Sequence, residues 1–404
     1  MTLGQSVGPE TQTILARTGI SAAQAAPRGA LPYSVMRQIR TLVIATLAIA
    51  ASAAAAPPAR AQSSHKTRNV VLIVSDGLRW QEIFQGADPT LMNRKYGHVQ
   101  DTAALRTAFA RDNTAAARSA LFPFLWNVVA AKGELFGNRT ENSYADVTNG
   151  FKFSYPGYNE MITGHPDPRI NSNNAGPNPN ISVFEWLNAQ PGFAGRVAVF
   201  GTWNEFADIF NGRRSRLPIW AAFDAPPQGS PPSTTDSLLT NLYATTTRIW
   251  DDLAYDSFMQ AEVTSYVTRE HPRVMFVGYG ETDEWAHAGR YDQVLTSAHQ
   301  FDQFVGDLWN MMQKMPQYRD STTFIITADH GRGSGLQKWT DHGADVPGAE
   351  SIWIAVIGPD TPPLGERRNA APVTQSQIAA TIAELLGENY NAAVKEAAKP
   401  LPVY

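Results

Sequence analysis

"NVVLIVSDG", residues 69–77, is the stretch from which the fold can be read outward. Five aliphatic residues follow one another without polar alternation, so the segment reads as a strand buried on both faces, and it stops at the turn pair Asp76-Gly77. Four later runs have the same character: "RVAVFG" at 196–201, "RVMFVGYG" at 273–280, "TTFIITADHG" at 322–331 and "SIWIAVIGP" at 351–359. Helical periodicity fills the gaps, most clearly over 291–314 and in "VTQSQIAATIAELLG" at 373–387. There Thr374 and Gln377 have capping-box spacing and Gly387 is the stop. Buried strands alternating with helices predict an α/β fold, a mostly parallel central sheet with helices on both faces. Such sheets collect ligands at the carboxyl ends of their strands.

Bulk properties narrow the partners. The 404 residues are 43% hydrophobic and 17% charged, with Lys+Arg 33 against Asp+Glu 37 and a formal charge of -4. That balance provides neither a basic stripe for nucleic acid nor a polybasic membrane patch. Cysteine is absent, which removes disulfides, thiolate catalysis, Cys-ligated zinc and a lipoprotein anchor; any metal must sit on His, Asp or Glu.

The start of the chain reads as a targeting segment. Arg37 and Arg40 precede an apolar run from Leu42 to Ala56, and Ala59-Arg60-Ala61 has the A-x-A cleavage pattern. The run is alanine-rich and shorter than the roughly 20 residues a membrane span needs. The expected layout is an extended leader or a misassigned start over 1–35 (with Met36 as the initiator), a cleaved signal peptide over 36–61, and one α/β domain over 62–404. The product is expected to be periplasmic or secreted, without stable membrane association after cleavage. Loops rich in Pro, Asn, Gly and Ser at about 165–180 and 225–236 bracket an insertion, expected to form a small cap from about 202 to 270.

Ligand-type residues stand at the ends of three of the runs: Asp76 after the first, Asp283 and His287 after the third, Asp329 and His330 after the fourth. Asp283 and His287 share a face if that turn is helical, and His342 follows the "GRGSG" loop, which can bend back toward the same edge. A set of Asp and His without Cys suits zinc and also manganese. A further segment, "FKFSYPGYNEMITGH" at 151–165, puts Ser154 two residues before Pro156, at the cap position of a short helix.

Taken together, "VVLIVSDGLRW", "FSYPGYNEMITG", "ETDEWAH", "TADHGRG" and "DHG" occur in an order and spacing that resemble the alkaline phosphatase superfamily, over about 69–390. The superfamily includes phosphodiesterases of the nucleotide pyrophosphatase type, phosphomonoesterases and sulfatases. The resemblance implies two divalent metals, zinc before manganese. Asp283, His287 and His342 would hold one, and Asp76, Asp329 and His330 the other, with the Ser154 hydroxyl also bound to the second. It puts Ser154 in the nucleophile's place and implies hydrolysis of a small phosphoric ester, monoester or diester, through a phosphoserine. Elementary chemistry agrees: a serine hydroxyl needs a metal to become an alkoxide, and a helix N-terminus favours an anionic ester beside it. Diesterases of this type hold a non-bridging oxygen with an Asn in the loop after the nucleophile helix, where Asn173 and Asn174 stand. Monoesterases add positive charge, for which Lys152, Arg213, Arg214 and Arg216 are available.

Two alternatives stand beside this reading. A sulfatase-type hydrolase is one, although the formylglycine pattern C/S-x-P-x-R meets Tyr158 where it requires Arg. The other is a non-catalytic metal-binding protein of the same fold.

Overall fold

The computed structural model describes residues 65–404; the leader and signal-peptide readings at 1–35 and 36–61 lie outside the described residues. Its centre is an eight-stranded sheet. In chain order the strands are β1 (Asn69–Ser75), β2 (Glu134–Phe136), β4 (Val197–Gly201), β5 (Ile219–Ala221), β6 (Val274–Tyr279), β7 (Thr322–Thr327), β8 (Ile354–Ile357) and β9 (Gly365–Glu366). Two short strands, β3 (Ala145–Asp146) and β10 (Val373–Thr374), pair with each other in a separate parallel ribbon. The order across the main sheet is β5-β4-β6-β1-β7-β8-β2-β9. Only β8 runs against its neighbours β7 and β2; the other pairs are parallel. The mostly parallel sheet read from the sequence is therefore the one observed, and all five apolar runs supply strands.

Why β1 lies in the middle follows from its composition. Every residue of the strand is buried. Val71 and Ile73 point into one core with Met275, Val277, Phe324 and Ile326, while Val70, Leu72 and Val74 point into the other with Val274, Phe276 and Ile325. The period of two sorts each strand's side chains between the two faces, and helices seal both. The amphipathic helix Tyr291–Lys314 covers the first face; Ser154–Thr163, Val183–Asn188 and Gln377–Leu385 cover the second. Each fully buried aliphatic side chain contributes about 1.5–3 kcal/mol, so the five of β1 anchor the sheet.

Three expectations need correction. Residues 202–270 do not stand apart as a cap: β5 is an edge strand paired with β4, and helix Asp256–Glu270 buries Met259, Val263, Tyr266 and Val267 in the first core. Apolar residues at those positions are better covered by the sheet than by an exposed insertion. The helix expected over 373–387 begins only at Gln377, with Ser376 as its cap. Thr374 is part of β10, and its N–H donates to the Gln377 side chain as the remaining half of a capping box. The third concerns Ser154 and is taken up with the site.

Candidate metal centre

The ends of β1, β6 and β7 lie side by side, since β1 pairs with both others in register. Asp76 follows β1, Asp329 and His330 follow β7, and the helix Glu281–His287 begins two residues after β6 ends. That helix carries Asp283 and His287 one turn apart, as the i, i+4 spacing predicts. Gly77 makes the tight exit from β1 possible. It has φ +58, and a Cβ there would collide with the Asp283 carboxylate and lie 2.8 Å from Arg332 Nε.

The six candidate ligands form two groups, Asp76 with Asp329 and His330, and Asp283 with His287 and His342. In each group one potential donor atom per residue lies within 4.8 Å of the others. The first group is deeply buried: Asp76 is 6% exposed, and Asp329 and His330 are 0%. One oxygen of each carboxylate is held, Asp76 Oδ2 by the Tyr158 hydroxyl at 3.0 Å and Asp329 Oδ1 by the Gly77 N–H at 3.0 Å. Asp76 Oδ1 and Asp329 Oδ2 have no hydrogen-bond partner. Both approach His330 Nε2, at 3.3 and 3.4 Å. His330 Nδ1 lies 3.0 Å from the Gly331 carbonyl. It must be the protonated nitrogen to donate there, which turns the Nε2 lone pair toward the two bare oxygens. Three lone-pair atoms thus converge on one another, an arrangement a cation satisfies and a hydrogen-bond network does not.

Electrostatics agree. Burial, with the Asp283 charge added, pushes the Asp76 carboxyl up to about 8. Burial and Asp76 raise Asp329 well above the carboxylate range, and burial lowers His330 to about 4. Two carboxylates that resist ionising together and a neutral imidazole make a donor set whose charge a divalent cation would balance.

In the second group His287 Nε2 lies 3.0 Å from Asp283 Oδ2 and 3.0 Å from His342 Nε2. His342 stacks on His330, with ring centroids 4.1 Å apart, and thereby joins the two groups. Burial, and next the neighbouring His330, lower His342 to about 2, so it offers lone pairs rather than charge. Asp283 is different. Burial opposes its ionisation, but the buried Arg332 guanidinium bonds it and, with His287 and His342, holds it well below the usual range. Arg332 escapes a sequence reading because "DHGRG" marks its neighbours and not its contact across the sheet edge.

Ser154 is the first residue of the helix Ser154–Thr163. It does not cap that helix: Phe153 is the cap residue, and the Ser154 hydroxyl lies 3.3 Å from His330 Nε2. The cap bond comes from Asn173, whose Oδ1 accepts the Tyr155 N–H at 3.0 Å. Pro156 has no N–H to lose in a first turn. Among the first three residues this leaves only the Ser154 amide for a ligand, fewer than the free N–H groups expected. A Cβ at Gly157 would strike the Asp329 carbonyl, so glycine lets the helix pass under the end of β7.

A cavity of about 230 Å³ opens here. It is lined by Asp76, Ser154, Asp283, His287 and His342, by Asn173 and Asn174, and by Trp203, Glu205, Asp252, Leu253, Gly280 and Glu284. Asp329 and His330 do not line it, but His330 Nε2 lies 3.3 Å from the hydroxyl of the lining Ser154. Lys152, Arg213, Arg214 and Arg216 are not among its lining residues; Lys152 pairs with Glu350 and Arg214 with Glu185. The signal that misled was local clustering of charge, which says nothing about direction. Trp203, Glu205 and Asp252 were missed because no motif spacing marks them.

A family model described as the Metalloenzyme superfamily matches residues 244–390. No curated protein matches the chain. Among solved structures, a Bacteroides thetaiotaomicron protein, described with that organism's metabolism of multiple glycosaminoglycans, aligns with a TM-score of 0.52 at 12% identity. It covers 83% of this chain and 76% of its own. The lipoteichoic acid synthase LtaP from Listeria monocytogenes aligns with a TM-score of 0.50 at 9% identity, over 81% and 73%. A protein in the alkaline phosphatase superfamily from Vibrio parahaemolyticus gives 0.44 at 14%, over 81% and 69%. The metalloenzyme match spans the segment that carries five of the six residues in the two Asp/His groups, with Asp76 before it, and the fold is one shared with the solved structures of Bacteroides thetaiotaomicron and Listeria monocytogenes.

Proposed function

We propose that this chain is an exported hydrolase of phosphoric esters in which Ser154 is the nucleophile. One observation carries the reading: the Ser154 hydroxyl stands at the start of a helix, 3.3 Å from His330 Nε2, on the wall of a cavity shared with both ligand groups. Asp76, Asp329 and His330 would hold one divalent cation and Asp283, His287 and His342 a second, zinc before manganese, and these would supply the Lewis acidity that a serine nucleophile and an alkoxide leaving group need. The chain's own part is positioning. Tyr158 and Gly77 fix the carboxylates, Asn173 ties the loop to the first turn of the helix, and the Ser154 N–H at the helix start would be a donor for the anion. The Ser154 Oγ–P bond forms as the P–O bond to the leaving alcohol breaks, and water then cleaves the phosphoserine.

Tyr158 also weighs against sulfatase chemistry through formylglycine. At the position where that pattern requires Arg, its hydroxyl is buried on Asp76. The absence of Lys and Arg among the described lining residues favours a diester, which carries one negative charge, over a doubly charged monoester. Export rests on the Leu42–Ala56 run and the Ala59–Ala61 pattern. Among the described residues no helix is long and apolar enough to cross a membrane.

The test uses zinc-loaded protein and three p-nitrophenyl esters: the phosphate, a phosphodiester and the sulfate. Phosphodiester turnover should lead. Ser154→Ala should keep its metal and lose about 10³-fold or more in kcat, with loss of a phosphoserine peptide in mass spectra of quenched reactions. Near wild-type turnover in Ser154→Ala would sink the covalent mechanism, and sulfate as the sole substrate would sink the phosphoryl reading.

A further inference from the structure

Besides Ser154 and the candidate ligands, the cavity is lined by Trp203, Glu205, Asp252 and Glu284, with Lys and Arg absent from the described lining. Trp203, Glu205 and Glu284 are half-buried and Asp252 is exposed at the rim. Trp203 and Leu253 form an antiparallel bridge, flanked by Asn204 N–H to Asp252 O at 2.9 Å and Ala254 N–H to Thr202 O at 2.7 Å. The bridge holds side by side the two backbone segments that carry Trp203, Glu205 and Asp252. The half-buried Trp203 ring is braced by Phe206, centroids 6.2 Å apart and nearly perpendicular. Among the described residues neither Glu205 nor Asp252 has an ion-pair partner. Burial, together with Asp208 and Asp252, holds the Glu205 carboxyl above its ordinary range, as befits an acid without a cation beside it. The same cavity is independently marked as a ligand site by Asp76, 6% exposed and with Oδ1 unpartnered.

An aromatic face with carboxylates around it is the chemistry that recognises an organic cation. The same carboxylates repel polyphosphate chains, which discriminates against nucleotides. We infer that the ester processed at this site carries an alkylammonium-bearing alcohol, gripped by Trp203, Glu205 and Asp252; this rests on the ester-hydrolase reading above. The phosphoryl group then lies toward Ser154 and the ligand groups, and the ammonium toward the bridge.

Two p-nitrophenyl phosphodiesters of the same shape test this, one with choline as its second alcohol and one with 3,3-dimethylbutanol, in which carbon replaces the charged nitrogen. The zinc-loaded protein should show kcat/KM about ten-fold or more higher for the choline ester. Calorimetric titration of Ser154→Ala should show free choline binding more tightly than free 3,3-dimethylbutanol. Trp203→Leu, and separately Glu205→Gln with Asp252→Asn, should bring both ratios toward one. Equal kcat/KM for the two esters, equal binding of the two alcohols, or a preference that survives both sets of substitutions would overturn the inference. Preferred choline binding without turnover of either ester would leave it standing and fell the hydrolase reading instead.

Discussion

Glu160 and Asp329 are equally buried, both 0% exposed, yet they are furnished in opposite ways. The Glu160 carboxylate, on the same helix as Ser154, accepts from the Thr148 N–H and hydroxyl, the Asn149 N–H and side-chain amide, and the Ser376 hydroxyl. Asp329 accepts from the Gly77 N–H through one oxygen, and its other oxygen has no partner; Asp76 repeats the pattern. Burying a carboxylate costs several kcal/mol unless donors offset it. Donors offset that cost for Glu160, which ties the loop before the helix to Ser376. At the strand ends they are withheld from the atoms that face His330. Equal burial with unequal satisfaction separates a structural carboxylate from one kept for a ligand.

Asp329→Ala tests the contrast with the largest effect. It removes the bare oxygen, so ester turnover should fall about 10³-fold or more, and metal content per chain, measured by elemental analysis, should drop. The metal-stripped variant should unfold at the same denaturant concentration as metal-stripped wild type, or at a higher one, because a charge crowding Asp76 is gone. Unchanged metal content would break the comparison at its ligand end. Glu160→Ala should behave the other way round. It strands five donors and should cost about 3–5 kcal/mol of stability in urea unfolding, with metal per folded chain unchanged. A loss below about 1 kcal/mol would mean that the donors find other partners and that satisfaction is a poor guide.

How far the sequence carried this contrast depends on range. The strands were legible because their aliphatic runs have one physical explanation, burial on both faces, and five of the six candidate ligand positions were legible because each stands within a few residues of such a run. The pairing of β1 with β6 and β7 then brings together residues some 200 positions apart in the chain. Asn173, by contrast, was singled out for a substrate oxygen and is found capping Tyr155, a bond set by how one loop folds back. Arg332, Tyr158 and Trp203 act through contacts across the sheet edge that no local spacing encodes. The supposed cap at 202–270 failed for a related reason: Pro-rich loops mark where elements are interrupted, not which side of the sheet the next element covers.

Glu262 lies between the two extremes and sharpens the comparison with the smallest effect. Its Oε2 accepts the Tyr243 hydroxyl at 2.9 Å, while Oε1 is buried without a partner, and Glu262 belongs to neither candidate ligand group. Burial pushes this carboxyl up to about 8 from an ordinary value of 4.5. The sign follows from proton binding. Between those two values the folded chain keeps a proton that the unfolded chain releases, so this contribution to stability is present in full below pH 4.5. It is lost progressively as pH rises through 8. Glu262→Gln keeps the acceptor for Tyr243 and removes the titration. Linkage caps the gain relative to wild type between pH 5 and pH 9 at about 4 kcal/mol, and water reaching the ionised carboxylate should bring it to about 1–2 kcal/mol, read from urea unfolding at the two pH values with metal stripped. A gain of that size would show that an unpartnered oxygen alone marks a cost in stability, and that it marks a ligand only where, as at Asp76 and Asp329, a second bare oxygen and an imidazole lone pair face it.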